Sequence, residues 1–216
     1  MMRVVWWRHG RTPWNLQGRF QGQSDIPLDE VGHQQAARAA SYLQHLRPVL
    51  IVSSDLQRAV QTAQPLSDLT GLPVLIDQRL RETHAGQWQG LTHHEIREQF
   101  GDALDQWSSG TDVRPGGGET RREVAQRVRT AVEDKLHGLN GLAEATVVVV
   151  THGGAARAGM CSMLDLPETA WASLGVLANC SWSVMTRSST QLVAPSWRLV
   201  EYNAGSLPEP VLGDDR

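Results

Sequence analysis

The stretch VVWWRHG, Val4–Gly10, joins four bulky apolar residues to an arginine, a histidine and a glycine. A short apolar run that ends at polar residues is typical of a strand buried on both faces of a sheet. Val4–Trp7 is therefore predicted to be a core strand, with Arg8 and His9 just past its end. Three further runs share this pattern and predict three more buried strands, namely Val49–Ser53, Val74–Asp77 and Thr146–Thr151.

Helical patterns separate these strands, because apolar residues recur between them at the spacing of one helix face. Strands that alternate with helices predict an α/β fold in which a mostly parallel central sheet is flanked by helices on both faces. Two alternating segments near the end, NCSWSVMTR and SWRLVEYN, predict further strands near a sheet edge. The predicted buried helix faces are Val31, Ala36, Ala39, Leu43 and Leu46; Leu56, Ala59, Val60 and Ala63; and Val124, Val128, Val132 and Leu136.

Between the third and fourth strands the pattern changes, and residues 84–118 are expected to leave the sheet as a small lid. Thr92 and Glu95 have the spacing of a capping box, which predicts that a helix starts there. The following segment, SSGTDVRPGGGET, is rich in turn residues and is predicted to lie outside the core. We therefore expect one domain over residues 1–203, with this insertion inside it, and a loose tail over residues 204–216.

The composition fits a globular protein with a small-molecule ligand. The chain has 216 residues, of which 40% are hydrophobic and 20% charged, and its formal net charge is -3. No block of lysine and arginine stands out, so neither nucleic acid nor a membrane surface is an expected partner. The two cysteines lack CxxC spacing, which argues against a disulfide framework and favours a reducing compartment. Without a signal-peptide pattern or an apolar run that could span a bilayer, the expected location is the cytoplasm.

Five polar residues follow the predicted strands near the points where the strands end. Ligands of parallel α/β sheets bind outside the carboxyl ends of the strands, so these side chains are expected to face one crevice. Each alone has an ordinary explanation as a surface charge or a helix cap, but independent surface residues need not all fall on one edge. Ser53 or Ser54 is expected to cap the helix that carries the second arginine. The five residues are Arg8, His9, Arg58, Glu82 and His152.

The chemistry of this set suits a tetrahedral oxyanion better than a metal ion. The two arginines are permanent cations that repel a divalent metal and offer paired donors to phosphate oxygens. The helix predicted to start at Gly153 and Gly154 adds backbone N–H groups and a positive dipole end. Phosphate is preferred over sulfate or carboxylate. No metal or nucleotide cofactor is expected, because the sequence has no Walker lysine loop and no Asp-rich magnesium motif.

Two histidines beside a phosphate indicate a division of labour. A neutral imidazole attacks phosphorus well and forms a phosphoramidate that water hydrolyses. The other imidazole, if protonated, donates to the phosphate oxygens. A glutamate can protonate the leaving alkoxide and then deprotonate the attacking water. The residues themselves leave open which histidine attacks.

Six ordered motifs resemble those of the histidine phosphatase superfamily, which has the phosphoglycerate mutase-like fold: RHGRTPWN, GRFQGQSDIPLDEVG, SSDLQRAVQTA, LRETHAGQWQGLT, GGGET and VVVVTHGG. The resemblance implies that His9 becomes phosphorylated and that its other ring nitrogen donates to a main-chain carbonyl. It also implies that Glu82 is the proton donor, and that the phosphate pocket, built without metal or nucleotide, comprises Arg8, Arg58 and His152. Phosphate or substrate contacts are expected from Asn15, Gln21 and the Gly22 backbone, which match the family, and from Gly153 and His84.

Phosphatases and mutases of this family share those residues, and the stretch after Glu82 separates them. Cofactor-dependent mutases continue with Arg-x-Tyr-Gly and carry a longer, more basic insertion, whereas this chain has Thr83 and His84 and an insertion without lysine. It therefore resembles the phosphatase branch, and within it the bacterial glucosyl-3-phosphoglycerate phosphatases. Sugar phosphates, phosphoglycerate and α-ribazole phosphate are the other candidate substrates. A phosphoglycerate mutase and a non-catalytic phospho-ligand binder are the alternative functions.

The insertion is expected to set the choice of substrate. For its two tryptophans, packing within the lid is at least as good an explanation as contact with a ligand. A homodimer is implied by the family likeness alone. The candidate residues of the insertion are His84, Trp88, His93, His94, Trp107 and Arg114.

Overall fold

A computed structural model describes residues 1–139, 142, 144–187 and 197–205 of the chain. Six strands form one sheet: β1 (Met2–Arg8), β2 (Leu50–Ser53), β3 (Val74–Ile76), β4 (Ala145–Thr151), β5 (Trp182–Arg187) and β6 (Arg198–Ala204). Their order across the sheet is β3-β2-β4-β1-β5-β6. The pairs β1–β4, β2–β4 and β2–β3 are parallel, whereas β5 and β6 add antiparallel strands at one side. The mostly parallel sheet and the late strands near its edge are thus confirmed.

Helices cover both faces of this sheet, as predicted. Successive side chains of β1 point to opposite faces, so Val4 and Trp6 pack in one core cluster while Val5 and Trp7 pack in another. The helices are α1 (Pro13–Leu16), α2 (Glu30–Leu43), α3 (Gln57–Thr70), α4 (His93–Ser108), α5 (Arg121–His137) and α6 (Gly153–Met163), with short 3-10 helices at Gln44–Leu46, Gln78–Leu80, Gly86–Trp88, Pro115–Gly117 and Glu168–Ser173. The first cluster includes residues of α5 and α6, and the second includes residues of α2 and α3.

The helix α3 begins without the predicted serine cap. Its N-cap residue is Leu56, which has an extended backbone and an apolar side chain that makes no capping hydrogen bond. Both serines therefore come too early in the chain. Ser53 Oγ donates to the carbonyl of Ser54 at 2.8 Å, and Ser54 Oγ accepts from the Leu56 N–H at 3.3 Å.

The insertion has a small apolar cluster of its own. The predicted capping box is present, since Thr92 caps α4 and exchanges hydrogen bonds with Glu95. The cluster's buried residues are Ala85, Trp88, Ile96 and Leu104, and Phe20, Leu91, Phe100, Ala103 and Trp107 pack against it. The turn-rich segment contributes to none of the three apolar clusters, as predicted, although its Pro115 and Gly118 are buried. The reason is backbone packing: an added Cβ on Gly118 would lie 1.7 Å from the His84 carbonyl oxygen.

The first residue of the predicted tail is part of the sheet. Ala204 still belongs to β6, and residues 206–216 lie outside the described residues. None of the helices in the described ranges has the length and apolar character needed to cross a bilayer.

Candidate active site

Four side chains from distant parts of the sequence meet at one end of a cavity: Arg8, His9 and Arg58 line it, and His152 packs beside His9. Arg8 is the last residue of β1, His9 follows it, Arg58 lies in the first turn of α3, and His152 is the N-cap residue of α6. All four are at most 2% exposed. The rings of His9 and His152 lie 5.2 Å apart between centroids. We refer to these four residues as the cavity floor. They meet because the carboxyl ends of β1, β2 and β4 lie at one edge of the sheet.

The His9 ring is held in one tautomer. Its Nδ1 lies 2.7 Å from the Gly10 carbonyl oxygen. A carbonyl oxygen can only accept, so Nδ1 carries the proton and Nε2 keeps its lone pair. Burial, followed by the charges of Arg58 and Arg8, lowers the pKa of His9 well below its ordinary value. His9 is therefore a neutral imidazole at pH 7 with a nucleophilic nitrogen at Nε2.

The second imidazole is held by donors and acceptors on both sides. Arg58 Nε lies 3.2 Å from His152 Nδ1, and His152 Nε2 lies 2.9 Å from Ser54 Oγ. Because a guanidinium only donates, Nδ1 accepts and the ring proton sits on Nε2, where it is donated to the serine. Burial and then Arg58 lower the pKa of His152 well below its ordinary value. In this arrangement His152 is neutral, and the charged donor considered from the sequence is not formed.

Arg58 is a buried cation whose hydrogen-bond acceptors are neutral. Besides His152, it donates from Nη1 to the Ser24 carbonyl at 2.6 Å and from Nη2 to the Gly22 carbonyl at 2.7 Å. Gly22 has a φ of +51°, a left-handed conformation that favours glycine. Burial lowers the pKa of Arg58 to about 10, so it stays charged at pH 7. A buried cation bonded to neutral oxygens is stabilised further by an anion in the cavity.

Glu82 occupies the helix start that was expected to bind phosphate. Its Oε1 accepts from the backbone N–H groups of Thr83 at 2.8 Å and Ala155 at 2.9 Å, and its Oε2 accepts from that of Gly154 at 3.0 Å. The approach is close, since a Cβ on Gly154 would lie 2.8 Å from Glu82 Oε1. The first N–H groups of α6 thus hold the glutamate at the cavity. The N–H groups at the start of α6 therefore bind the Glu82 carboxylate and are not directed at the phosphate site.

The remaining predicted residues divide into two groups. Gln21, Gly22 and Gly153 line the cavity, whereas Asn15 and His84 are not among its lining residues. Asn15 stands behind the floor, where its Oδ1 accepts from Thr12 N–H at 3.1 Å. The His84 side chain is exposed.

Asn179 is a residue of this site that the sequence argument did not identify. Its Nδ2 lies 3.2 Å from the His9 carbonyl oxygen, 3.4 Å from that of Gly10 and 3.2 Å from Asn15 Oδ1. It therefore supports the backbone that carries His9. The late motif NCSW contains this asparagine, but a contact with residues about 170 positions away has no local signal.

The cavity extends well beyond its floor, to a volume of about 460 Å³. Side chains of α4 and the turn after it form one side, which we call the outer wall. Trp107 anchors this wall: it packs edge-on against Phe20 and Trp88, with ring centroids 5.7 and 6.0 Å away. Trp107 therefore both packs within the lid and lines the cavity. Trp88 is fully buried and packs within the lid. The outer wall comprises His93, Ile96, Arg97, Trp107, Ser108, Gly110 and Asp112.

Comparison with known proteins agrees with this geometry. The family model of the histidine phosphatase superfamily (branch 1) matches residues 4–202. A glucosyl-3-phosphoglycerate phosphatase of Mycobacterium tuberculosis (strain ATCC 25618 / H37Rv) is 41% identical over 212 residues, which cover 94% of this chain and 95% of that protein. A metal-independent phosphoserine phosphatase of Arabidopsis thaliana is 37% identical over 92% of this chain and 82% of that protein.

A solved structure shares the fold at similar sequence identity. The mycobacterial glucosyl-3-phosphoglycerate phosphatase in complex with VO3 has a TM-score of 0.86 and 42% identity, over 94% of this chain and 99% of that chain. The α/β fold and the family resemblance inferred from the motifs are both confirmed. This chain belongs to branch 1 of the histidine phosphatase superfamily.

Proposed function

We propose that this histidine phosphatase hydrolyses phosphate monoesters through a phosphohistidine at His9, and that glucosyl-3-phosphoglycerate is its substrate. The observation that carries the mechanism is the His9 ring: Nδ1 donates to Gly10, and Nε2 is left as a nucleophile beside two buried guanidinium groups. The substrate proposal is supported by the 41% identity to a phosphatase named for that ester.

In the first step the substrate phosphate lies on the cavity floor. Arg8 and Arg58 bind its oxygens, and His152 packs beside the nucleophile and accepts from Arg58. The lone pair of His9 Nε2 forms a bond to phosphorus while the bond from phosphorus to the ester oxygen breaks. Glu82 transfers a proton to that oxygen, and the alcohol leaves.

In the second step the phosphohistidine is hydrolysed. Glu82, now a carboxylate, takes a proton from a water molecule, and the water oxygen attacks phosphorus. The bond between phosphorus and Nε2 breaks and returns the neutral imidazole, and inorganic phosphate leaves. The sum is one ester plus one water giving one alcohol plus one phosphate, with every group of the chain restored.

The other site residues have supporting roles in this proposal. Gln21, the Gly22 backbone and Gly153 contact the phosphate or the substrate, since they line the cavity. Asn15 acts through the loop behind the floor. For His84 we propose no phosphate contact, because its side chain is exposed outside the cavity lining.

The size of the cavity supports an ester larger than the phosphate alone. A volume of about 460 Å³ lies within the range of pockets that bind small organic ligands. We propose that residues 84–118 form a lid within a single domain and that the outer wall contacts the glucosyl-glycerate portion. The separate apolar cluster of this insertion supports its treatment as a distinct substructure.

A panel of phosphorylated metabolites tests the substrate. Glucosyl-3-phosphoglycerate, 3-phosphoglycerate, phosphoserine and glucose 6-phosphate are each assayed for released phosphate in the presence of EDTA. We expect the highest kcat/KM for glucosyl-3-phosphoglycerate. A higher kcat/KM for phosphoserine or glucose 6-phosphate would identify that ester as the substrate instead. If the folded protein hydrolysed none of these esters, a binding module would be favoured.

Supplying 3-phosphoglycerate with the 2,3-bisphosphate primer tests the mutase alternative. Hydrolysis is expected to be faster than isomerisation, because the insertion contains no lysine to hold a bisphosphate. Isomerisation that outpaces phosphate release would overturn this choice.

We further propose that the protein acts in the cytoplasm as a homodimer. The two cysteines, which are both buried as free thiols, support a reducing compartment. The dimer rests on the family likeness, and light scattering of the purified protein measures it directly.

A further inference from the structure

One half-buried guanidinium of α5 uses all of its donors next to Glu82. The side chain of Arg127 is 18% exposed. Its Nη1 donates to the carbonyl oxygens of Arg79 at 2.8 Å and Arg81 at 2.6 Å, and its Nη2 donates to that of Glu82 at 2.9 Å. The Arg127 side chain therefore binds three backbone carbonyl groups of one four-residue segment. Arg127 itself is not among the residues that line the cavity.

The other edge of this guanidinium binds Glu119, from the motif GGGET. Arg127 Nε donates to Glu119 Oε1 and Nη2 to Oε2, both at 2.8 Å. Glu119 in turn accepts from the His84 N–H at 2.8 Å, and its own N–H donates to the His84 carbonyl at 2.8 Å. A guanidinium has five N–H donors, and here all five are used. The backbone on both sides of Glu82 is thereby fixed.

The Glu82 side chain must span from this backbone to the start of α6. Its carboxylate reaches the N–H groups of Gly154 and Ala155 while its carbonyl is held by Arg127 and by Gln23 Nε2 at 3.0 Å. A shift of the backbone moves the carboxylate away from the ester oxygen. Misplacement of a reacting group by about 1 Å can cost about a hundredfold in rate.

We propose that Arg127 is a positioning residue for proton transfer by Glu82, with Glu119 as its anchor. The inference rests on the proposed role of Glu82 as the proton donor. Lysine cannot replace Arg127, because an ammonium is a point charge with three donors and cannot bind two edges of a planar fork.

The test compares esters whose leaving groups differ in their need for a proton. Nitrophenolate leaves without protonation, whereas the alkoxide of 3-phosphoglycerate does not. The measured quantity is the ratio of kcat/KM for 3-phosphoglycerate to that for p-nitrophenyl phosphate, because kcat/KM reports steps up to loss of the leaving group. Glu82→Gln is expected to lower this ratio about a hundredfold.

Arg127→Met is expected to lower the same ratio about tenfold, with thermal melting used to check folding. Arg127→Lys keeps the charge and most of the stem, so it is expected to fold and to show the same direction of change. Arg129→Met is the matched control on the same helix: Arg129 binds Glu133 at 2.8 Å and the Ser162 carbonyl at 2.7 Å, away from Glu82. Its ratio should stay within about twofold of the parent protein.

The double variant Glu82→Gln/Arg127→Met separates positioning from general damage. When Glu82 can no longer give a proton, loss of Arg127 should leave the ratio where Glu82→Gln alone put it. An equal fall on both esters, or a further fall in the double variant, would overturn the positioning role. If Glu82→Gln itself left the ratio unchanged, the proposed acid would be wrong and this inference with it. A normal Glu82→Gln result with unchanged ratios for both Arg127 variants would overturn the positioning role alone.

Discussion

The cavity floor and the outer wall are supported by different parts of the structure. The floor side chains end or follow strands of the central sheet, and all are at most 2% exposed. The outer wall belongs to the insertion, which packs around a small cluster centred on Trp88. A group fixed by the main core cannot move without disturbing the sheet, whereas a small satellite cluster can change with less effect on the whole. From this comparison we expect the floor to carry the chemistry and the wall to carry the choice of ester.

The variant His9→Ala removes the proposed nucleophile from the cavity floor. His9→Ala is expected to lower kcat at least about a thousandfold on every ester, irrespective of its leaving group, because the phosphohistidine cannot form. The measurement is steady-state phosphate release from p-nitrophenyl phosphate and from glucosyl-3-phosphoglycerate.

The arginines of the floor remain in this variant, which provides a control. Calorimetry should still detect binding of inorganic phosphate by His9→Ala, within about tenfold of the parent affinity. Turnover that survived at more than a few per cent would assign the attack to another group, with His152 the first to be examined.

Replacing Trp107, the anchor of the outer wall, tests the wall separately from the floor. Trp107 packs on Phe20 and Trp88, and the Arg121 guanidinium lies 4.7 Å from its ring centroid. We expect Trp107→Ala to lower kcat/KM for glucosyl-3-phosphoglycerate about tenfold, because remote contacts of a substrate contribute to its transition-state binding.

The small ester is the internal control for this variant. Its kcat/KM should change less than about twofold, since p-nitrophenyl phosphate has no glucosyl-glycerate portion to lose contacts. Equal losses on both esters would mean that the wall supports the floor and does not select the substrate.

The sequence predicted the floor better than the surroundings of the floor. Strand ends are readable from a local apolar pattern, and parallel strands place their carboxyl ends together, so Arg8, His9 and His152 could be grouped across more than 140 residues of sequence. Other local patterns in the sequence also predicted the sheet, both helical layers and the capping box of α4.

The contacts that orient those groups were beyond the sequence. The seat of Glu82 on α6, the binding of Ser54 by His152 and the support from Asn179 are hydrogen bonds across 72, 98 and 170 positions. Such bonds depend on side-chain direction in the folded protein and leave no periodic signal. The exposure of His84 was beyond the sequence as well, because its backbone is held by Glu119 from 35 positions away.

Two buried, neutral histidines in the floor make the stability of the protein depend on pH. Burial and neighbouring guanidinium groups lower the pKa of His9 and of His152 well below the ordinary value. The unfolded chain takes up protons on both rings below about pH 6.5, while the folded protein does not. Since the unfolded state then binds more protons, the free energy of unfolding falls as the pH is lowered from about 7 toward 5.

The expected slope is at most about 1.4 kcal/mol per pH unit for each histidine. Urea unfolding at pH 7, 6 and 5 measures it, and carboxylates such as Asp55 and Asp77, whose pKa values are lowered by arginines, contribute only at more acidic pH. His9→Asn should reduce the slope by one histidine's share, with His94→Asn, on the exposed face of α4, as the matched control. A free energy of unfolding that stayed constant from pH 7 to 5 would contradict the inference that His9 and His152 are buried and neutral. It would then also contradict the proposal that His9 in the floor is a neutral nucleophile at pH 7.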